Sequence, residues 1–596
     1  MCGIVVSTGR GAHARVRVAL ERLSHRGPDG SGIWTAPDGS TVVGHARLAI
    51  FDPTPRSDQP FRRGPLTLAY NGAIYNHLEL RAELERVGER FETTSDTEVV
   101  AAAMLRWGCR ALDRFEGMFA LVVHDQRDGS LLAARDRFGI KPLYMTTDGS
   151  STTFASELRA LSTTAEVDGQ AVAEFLRFGN PITRPIDPTV SELTPGAVLR
   201  LSGTSVRVDS FATATRSNPD DPVAALRASI GDHARADRPL AVFLSGGFDS
   251  ALVLAGLREA GHRPLALTLD TGLNGEDVER ARGAARNYGV DHEIVAVDQI
   301  LLGDRLADFV AAMDQPGIDG FNTALISEAC RSADAVVALT GLGGDEMLGG
   351  YRYYRLDARL RRALPSLAKL PASARDRSVA PLARVLGVSS VRLRELINAH
   401  GVAARHRAFR SLFSPSETRA LTGRDAPTTP RWQVSPEETG RRQLAQLDAA
   451  TYLGPTLLRD ADVHSMAHSI ELRVPFVDRR VRDAVFASEA PPDKRAIADA
   501  WGDRFLARKA EEPKLTFRLP WEIWLDRIID AHREVLEAPD PWCGLLDADV
   551  AGAHLRRGVE DEPLRPWALV CLAAWLDSRS ADSASQGAAR AEAVSS

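Results

Sequence analysis

Residues 239–260, PLAVFLSGGFDSALVLAGLREA, decide the fold of the larger part of this chain. PLAVFL is a continuous apolar run typical of a buried strand, and the residues after Asp249 follow a helical pattern. Between them, the Ser245-Gly246-Gly247 turn can point backbone N–H groups at an anion, and the helix start adds partial positive charge. No Gly-Lys-Ser/Thr follows, so the turn is not a P-loop. A plain strand-to-helix turn is the alternative interpretation of Ser-Gly-Gly alone.

Three more apolar runs follow, at 264–270, 292–297 and 335–341, with helical stretches between them. Strands that alternate with helices imply a parallel sheet covered by helices on its faces. The chain beyond Tyr351 is rich in Arg and Ala and mostly helical in pattern. We therefore predict an α/β domain over 221–578 with a helical C-terminal part, and a disordered tail of small polar residues over 579–596.

The first two hundred residues show a different pattern. Short β-type runs, at 41–51, 66–76, 119–125 and 131–136, are separated by Gly, Pro and Asp turns, and one helix is predicted from about Asn76 to Arg86. We predict an α+β domain of layered antiparallel sheets over 2–205, with 196–203 as its last strand. A polar, turn-rich linker over 206–220 follows.

Composition excludes several classes of protein. The 596 residues are 44% hydrophobic and 26% charged, as expected for a soluble chain of two or more domains. A net charge of -6 gives no basic footprint for nucleic acid or an anionic membrane. The five cysteines form no C-x-x-C pair, and no signal peptide or membrane-spanning run is present. We expect a cytoplasmic protein without a disulfide framework or structural zinc.

Position 2 is a cysteine beside the initiator methionine. A small second residue favours removal of Met1, which would leave Cys2 with a free α-amine. The pKa of such an amine is near ~8, close to that of a thiol, so it can act as the general base for its own side chain. A buried core cysteine is the alternative interpretation of Cys2 taken alone.

The first domain also carries the other groups that hydrolysis of a glutamine amide needs. Asn71 and Gly72 can donate a side-chain and a backbone N–H to an oxyanion. The fork-shaped cation of Arg47 suits an α-carboxylate, and Asp96 offers an anion to an α-ammonium group. With Cys2 as the nucleophile, this set predicts a glutaminase.

The first domain resembles the glutaminase domain of class II glutamine amidotransferases. The resemblance rests on five segments in order: MCGI (1–4), RGPDG (26–30), HARLAI (45–50), YNGAIYN (70–76) and SDTE (95–98). It implies that Cys2 is the nucleophile and that Asn71 and Gly72 form the oxyanion hole. It also implies a glutamine site made of Arg47, Leu48, Ile50, Asn71, Gly72, Ala73 and Asp96. Many members carry Glu, which helps to grip the substrate amine, where this chain has Ala73.

The second domain resembles the synthetase domain of asparagine synthetases, which cleaves ATP to AMP and pyrophosphate. The matching segments are SGGFDS (245–250), TGLGGDE (340–346), 457–476 and EPKLTFRLP (512–520). The resemblance implies an ATP site made of Leu244, Ser245, Gly246, Gly247, Asp249, Ser250, Leu267, Thr340 and Gly341. It implies Mg²⁺ at Asp249 and Asp345, and a catalytic Lys514 against the adenylate. The alternative for Lys514 is a solvated surface lysine.

One departure concerns the acceptor acid. Many asparagine synthetases have Glu or Asp at the position of Leu342, beside the acyl-adenylate, and leucine cannot transfer a proton. We expect the acceptor pocket around 314–320, for which a plain loop is the alternative interpretation.

The resemblance implies a glutamine-dependent asparagine synthetase, which converts L-aspartate, L-glutamine, ATP and water to L-asparagine, L-glutamate, AMP and pyrophosphate. Three alternatives stay open: the same chemistry on another biosynthetic carboxylic acid, a cyclase related to β-lactam synthetase, and a non-catalytic sensor. A complete set of glutaminase residues argues against the cyclase. The expected partners are small-molecule substrates, without nucleic acid or membrane, and a homodimer is compatible with them. Because ammonia must pass between the two sites, we expect an apolar tunnel.

Overall fold

The computed structural model describes residues 2–161, 166–211, 221–273, 275–297, 302–369, 371–426, 440–487, 491–513, 521–558 and 562–595. The N-terminal domain contains twelve strands in the described ranges: β1 Gly3–Thr8, β2 Gly30–Thr35, β3 Thr41–Arg47, β4 Phe61–Arg63, β5 Leu66–Ile74, β6 Gly117–Asp125, β7 Ser130–Arg135, β8 Tyr144–Asp148, β9 Ser151–Ala155, β10 Val190–Glu192, β11 Ala197–Ser202 and β12 Ser205–Ser210. Its α-helices are α1 Ala12–Arg22, α2 His77–Arg86, α3 Asp96–Trp107 and α4 Gly169–Phe178.

These strands form two antiparallel six-stranded sheets, in the orders β10-β8-β9-β1-β3-β2 and β12-β11-β7-β6-β5-β4. Their facing sides share one apolar cluster, to which β1 contributes Ile4 and Val6 and β6 contributes Ala120 and Val122. Helix α1 packs on the outer face of the first sheet, and α2 and α3 pack on the outer face of the second. Alternation along each strand thus produces four layers, helix-sheet-sheet-helix. The predicted α+β layered fold is confirmed.

The second domain is built on five parallel strands: β13 Leu240–Phe243, β14 Leu265–Asp270, β15 His292–Ala296, β16 Val337–Leu339 and β17 Glu471–Arg473. Their order is β15-β14-β13-β16-β17. Helices among and before these strands are α5 Pro222–His233, α6 Phe248–Glu259, α7 Gly275–Tyr288, α8 Leu302–Ala312, α9 Phe321–Ser332 and α10 Gly344–Leu348. The predicted parallel α/β sheet is confirmed, and β17 joins it from far along the chain.

The helical C-terminal part is also present. Its helices in the described ranges are α11 Arg352–Ala368, α12 Ala372–Leu386, α13 Ser390–Ile397, α14 Gly401–Arg410, α15 Pro415–Thr422, α16 Gly440–Asp448, a π-helix Ala449–Leu458, α17 Arg459–Ala467, α18 Arg479–Val485, α19 Lys494–Trp501, α20 Arg504–Glu511, α21 Trp521–Ala531, α22 Arg533–Leu536, α23 Ala548–Arg557 and α24 Leu564–Ser595. In the described part of the chain, no helix is long and apolar enough to cross a membrane.

The structure differs from the sequence expectations at two boundaries. Strand β12 follows the run predicted as the last strand of the first domain, and it pairs with β11 as a hairpin. Gly203, at φ 58°, provides the turn that this hairpin needs. Helix α24 continues to Ser595, through the segment expected to be a disordered tail. The alanines of that segment are strong helix formers, which is compatible with this continuation.

Candidate active sites

Cys2 lies directly before β1, with 8% of its surface exposed. Its backbone N–H donates to Oδ1 of Asn71 at 2.9 Å, and its Sγ lies 3.9 Å from the carbonyl oxygen of Leu48. Burial raises the pKa of the thiol, and the nearby N-terminal amine lowers it. A thiol in this environment needs a local base before it can attack.

Asn71 and Gly72 lie on β5, where two donors can face a developing charge. With Oδ1 held by Cys2, the Nδ2 group of Asn71 is buried without a hydrogen-bond partner among the described residues. On the same edge, the N–H groups of Tyr70 and Ile74 donate to side chains instead of to β6. Strand alternation places the N–H of Gly72 on that edge too. A Cβ at Gly72 would lie 2.1 Å from the carbonyl oxygen of Met118, so β6 leaves room only for glycine.

Asp96 is the first residue of α3 and is 3% exposed. Its Oδ2 accepts hydrogen bonds from the hydroxyl of Tyr70 at 2.8 Å and the N–H of Ile74 at 3.0 Å. Burial raises the pKa of this carboxyl group. The predicted anion is therefore anchored to the same strand edge as Gly72.

Arg47, at the end of β3, is bound by the loop that follows it. Its guanidinium donates to Oδ1 of Asp58 at 2.6 Å and to the carbonyl oxygens of Asp52 at 2.5 Å and Thr54 at 2.8 Å. A substrate carboxylate would have to exchange with some of these acceptors. The other predicted residues of this site, Leu48, Ile50 and Ala73, share one apolar cluster.

The SGGFDS loop joins β13 to α6, as predicted. Gly246 has φ +70°, and a Cβ there would lie 2.3 Å from the carbonyl oxygen of Asp277, so this turn requires glycine. Nζ of Lys509 donates to the carbonyl oxygen of Gly246 at 3.1 Å. The loop opens into a cleft of about 870 Å³ at the carboxyl ends of the parallel strands, the usual position for a ligand in such a fold.

Asp249 and Asp345 converge on one cation. Nζ of Lys494 lies 2.6 Å from Oδ2 of Asp249 and 2.6 Å from Oδ1 of Asp345. These two carboxylates raise the pKa of Lys494, so it stays protonated. Two carboxylates fit the one- or two-carboxylate arrangement by which Mg²⁺ binds beside phosphates. Among the described residues, no cluster of three or more His, Cys, Asp or Glu side chains could hold a metal alone.

Lys494 is the site residue that sequence reasoning missed. Lys514, predicted as the catalytic lysine against the adenylate, lies outside the described residues. The chain has five lysines among its 73 Lys and Arg residues, at 141, 369, 494, 509 and 514. In a chain whose basic residues are mostly Arg, a Lys indicates a position that needs a compact charge. That bias could have drawn attention to Lys494.

Four of the residues predicted for the ATP site, Leu244, Leu267, Thr340 and Gly341, divide between cleft and core. Leu244, Thr340 and Gly341 line the cleft, whereas Leu267 is fully buried in the core. The carbonyl oxygen of Leu267 accepts the N–H of Leu244 at 2.8 Å. Thr268 and Leu269, the next residues of β14, line the cleft. Local motifs could not separate these neighbours, since packing within the domain decides which side chain faces the cleft.

The segment expected to form the acceptor pocket, 314–320, also divides, between the domain boundary and the cleft. Asp314 accepts the N–H groups of Leu158 at 2.7 Å and Arg159 at 2.8 Å, so it holds the two domains together. Ile318, Asp319 and Gly320 line the cleft, together with Leu342. Two further lining residues are Glu346 and Tyr351, whose hydroxyl donates to Oε1 of Glu346 at 2.5 Å. Burial and the charge of Asp345 raise the pKa of Glu346 to about 7.

One apolar cluster connects the two sites. It contains Leu48, whose carbonyl oxygen lies 3.9 Å from Sγ of Cys2, then Ile50 and Ala73, and Leu244 in the cleft, with Leu342 packed against it. Buried ion pairs flank the domain boundary: Arg26 with Glu157 at 2.7 Å, Arg26 with Asp462 at 2.8 Å and Lys141 with Asp462 at 3.0 Å. The two pairs to Asp462 connect the N-terminal domain to the second domain through buried charges.

Comparison with protein families matches residues 1–212 to a "Glutamine amidotransferase domain" and residues 223–577 to "Asparagine synthase". Asparagine synthetase [glutamine-hydrolyzing] 1 of Bacillus subtilis is 30% identical, over 85% of this chain and 84% of its own. Asparagine synthetase [glutamine-hydrolyzing] 2 of Arabidopsis thaliana is 33% identical, over 59% of this chain and 61% of its own. Amidase chry2 of Gibberella zeae is 25% identical over 87% of both chains. A solved structure of glutamine phosphoribosylpyrophosphate amidotransferase from B. subtilis is 17% identical over 57% of this chain and 82% of that chain, with a TM-score of 0.30.

Proposed function

The chain belongs to the asparagine synthase family, as a glutamine-hydrolysing ligase with an N-terminal amidotransferase domain, and from this premise we propose that it is a glutamine-dependent asparagine synthetase. The reaction uses L-aspartate, L-glutamine, ATP and water and yields L-asparagine, L-glutamate, AMP and pyrophosphate. The observation that carries the proposal is the apolar cluster that runs from Leu48, whose carbonyl oxygen lies 3.9 Å from Sγ of Cys2, to Leu244 in the cleft of the SGGFDS loop.

In the glutaminase half, removal of Met1 turns the Cys2 N–H held by Asn71 into an α-amine. That amine takes the thiol proton, and the sulfur attacks the amide carbon of glutamine. The unpaired Nδ2 of Asn71 and the N–H of Gly72 donate to the resulting oxyanion. Ammonia leaves with the proton, and water hydrolyses the thioester to glutamate.

In the synthetase half, the acceptor carboxylate attacks the α-phosphorus of ATP, and pyrophosphate departs. The SGGFDS loop and Lys494 hold the phosphates. Asp249 and Asp345 would hold Mg²⁺, which neutralises the departing pyrophosphate. Lys494 would then exchange its carboxylate partners for phosphate oxygens. Ammonia attacks the acyl-adenylate, and AMP leaves.

Ammonia reaches the adenylate through the apolar cluster between the sites. Leu48 and Ile50 begin the route, and Leu342 borders it at the cleft. An apolar wall keeps ammonia neutral, because a charged ammonium would lose its hydration there without compensation. A neutral amine needs no proton acceptor before it attacks, which is compatible with Leu342 at this position.

A second candidate keeps the chemistry and changes the acceptor acid. Leu342 favours it, because an apolar side chain stands in the cleft where many asparagine synthetases have a carboxylate. Amidase chry2, which matches over 87% of both chains, is named an amidase and not an asparagine synthetase, which is compatible with a different acceptor.

The test is an assay of purified enzyme with glutamine, Mg-ATP and one acid at a time, following AMP and the mass of the amide. L-aspartate, succinate and β-alanine separate the contributions of an ammonium group and a second carboxylate. AMP and asparagine from L-aspartate support the first candidate. Turnover only with another acid supports the second, and ADP with phosphate would reject both.

A further inference from the structure

Strand β17 forms a wall between the two proposed sites. Leu472 lines the nucleotide cleft. Glu471 and Arg473 flank it on either side, and period-two alternation turns both of them to the opposite face. That face meets the N-terminal domain, so one three-residue strand contacts both half-sites.

Arg473 makes both contacts by itself. Its carbonyl oxygen accepts the N–H of Thr340, at the edge of the cleft, at 3.0 Å. Its guanidinium lies 5.6 Å from the ring centroids of Phe51 and of Tyr75, which belong to the N-terminal domain. Tyr75 directly follows β5, the strand of Asn71 and Gly72, and Phe51 lies in the loop that binds Arg47. The residue therefore connects the backbone of one site to the packing of the other.

The guanidinium is held firmly in this position. Nη1 donates to the carbonyl oxygens of His233 and Arg235, each at 2.6 Å, and Nε donates to Oε1 of Glu471 at 2.6 Å. Arg473 is completely buried, and its Nη2 has no hydrogen-bond partner among the described residues. The ring of His233 lies 3.9 Å from that of Tyr75. A buried ion pair of this kind is weak evidence for stability and points to a role in setting one arrangement.

The carboxylate of Glu471, the ion-pair partner of Arg473, influences the electrostatics of the glutaminase site. The charge of Glu471 acts to raise the pKa of three groups there, Cys2, Tyr70 and Asp96. The Glu471–Arg473 pair is thus close enough to the glutaminase site for its placement to matter there.

We propose that Arg473 is a positioning residue that aligns the two half-sites, so that ammonia released at Cys2 enters the cleft instead of the solvent. This inference rests on the proposed function. Arg473 contacts neither substrate and takes no part in either half-reaction. Its loss opens the boundary at Phe51 and Tyr75 and leaves the chemical groups in place.

The experiment compares the wild type with Arg473→Met and Arg473→Lys. Each protein receives amide-¹⁵N glutamine, unlabelled ammonium chloride, Mg-ATP and L-aspartate, or the acid of the panel that supports turnover. The ¹⁵N fraction of the product amide, measured by mass, reports how much ammonia travels inside the protein. The matched control is Arg479→Met, because Arg479 also crosses the boundary, to the carbonyl oxygen of Asp113 at 3.1 Å, and lies outside the lining of the nucleotide cleft.

We expect Arg473→Met to lower the ratio of ¹⁵N to ¹⁴N in the product amide by about fivefold or more. Mutations that alter the energetic coupling between two distant sites have effects of this size. Ammonia-dependent amidation should stay within about twofold of wild type, and Arg479→Met should keep the wild-type label. Loss of Arg473 leaves the Glu471 charge near Cys2 without its cation, so the labelled product is compared per glutamate released. Arg473→Lys should give an intermediate ratio, because a point charge cannot serve three acceptors in a fork.

An Arg473→Met product labelled like that of the wild type overturns the inference, and so does an equal loss of ammonia-dependent amidation. If the Met variant does not fold, the Lys variant decides: a ratio lowered at least about twofold supports the inference, and an unchanged ratio rejects it. A wild type that forms no amide from any acid rejects the proposed function, and the inference with it. A labelled wild-type product with equally labelled variant products rejects the inference alone.

Discussion

Nζ of Lys494, the first residue of α19, lies 2.6 Å from Oδ2 of Asp249, the second residue of α6. The pair brings a helix from the C-terminal part onto the loop after the first strand of the parallel sheet. A cation at this point can bind phosphate oxygens once a nucleotide and a metal displace it from the carboxylate. The arrangement makes Lys494 the residue whose change tests the cleft most directly.

Lys494→Met should lower amidation by about 10²-fold or more with either glutamine or ammonia, because a charge that stabilises the transition state is removed. Glutamate release from glutamine without ATP should be unaffected. Arg495→Met is the control, since Arg495 is the exposed neighbour that pairs with Glu511. Steady-state AMP release measures the effect, and a loss below tenfold would contradict the assignment.

Asp249→Asn should cut ATP turnover by several orders of magnitude with both nitrogen sources, because loss of a charged metal ligand removes several kcal/mol of transition-state stabilisation. The Mg²⁺ concentration for half-maximal rate should rise as well. Titration of Mg²⁺ at fixed ATP measures both quantities. Wild-type Mg²⁺ dependence in the variant would show that Asp249 is not a ligand.

Cys2→Ala should abolish glutamine-dependent amidation and leave ammonia-dependent amidation intact, because only the first half-reaction uses a thiolate. Mass spectrometry of the active enzyme should show that Met1 is absent. Cys330→Ala provides a control at another buried cysteine, which belongs to the core. Wild-type glutamate release by Cys2→Ala would overturn the assignment of the nucleophile.

Leu342→Glu tests whether the attack of ammonia in this cleft needs a proton acceptor. If the attack of ammonia gains from a proton acceptor, the variant should amidate L-aspartate faster than the wild type, because a carboxylate is restored beside the acyl group. The control is Leu342→Gln, because the glutamine side chain has the shape of glutamate without its charge. Equal rates for the two variants would show that polarity or volume, and not proton transfer, controls this position.

Asp460 predicts a pH dependence of stability. Burial raises its pKa from 3.8 to about 7, so the folded state binds a proton more tightly than the unfolded state. The protonated Asp460 carboxyl group therefore stabilises the folded state fully below pH 3.8, and this contribution is lost as the pH rises through about 7. The free energy of unfolding differs between the low-pH and high-pH limits by at most about 4 kcal/mol because of this group.

Asp460→Asn should remove this dependence, because Asn keeps the shape and never ionises. The Tm of the variant relative to wild type should therefore rise between pH 5 and pH 8, by about 1 °C for each kcal/mol in a chain of this length. Thermal unfolding at the two pH values measures it. A constant difference in Tm would show that the wild-type carboxyl group does not titrate in this range.

Local pattern was sufficient for the fold class and for much of the candidate sites. Period-two runs predicted the antiparallel sheets, and apolar runs alternating with helices predicted the parallel one. The segments around Cys2, Asn71 and Asp249 could be chosen as candidate site residues by residue type and by resemblance to known families, whereas the contact of Cys2 with Asn71, 69 residues apart, is long-range. Residue types and short motifs are local, so the sequence alone predicts these candidates.

Tertiary structure alone decided which distant groups meet. The place of Lys494 depends on the docking of α19, and the burial of Leu267 depends on the packing of β14 in the core of the domain. The double contact of Arg473 depends on the pairing of β17 with β16 across more than a hundred residues. Arg47 illustrates the same limit, because its acceptors lie in a loop whose path is set by packing. Such contacts arise from long-range packing of side chains, and no local periodicity encodes them.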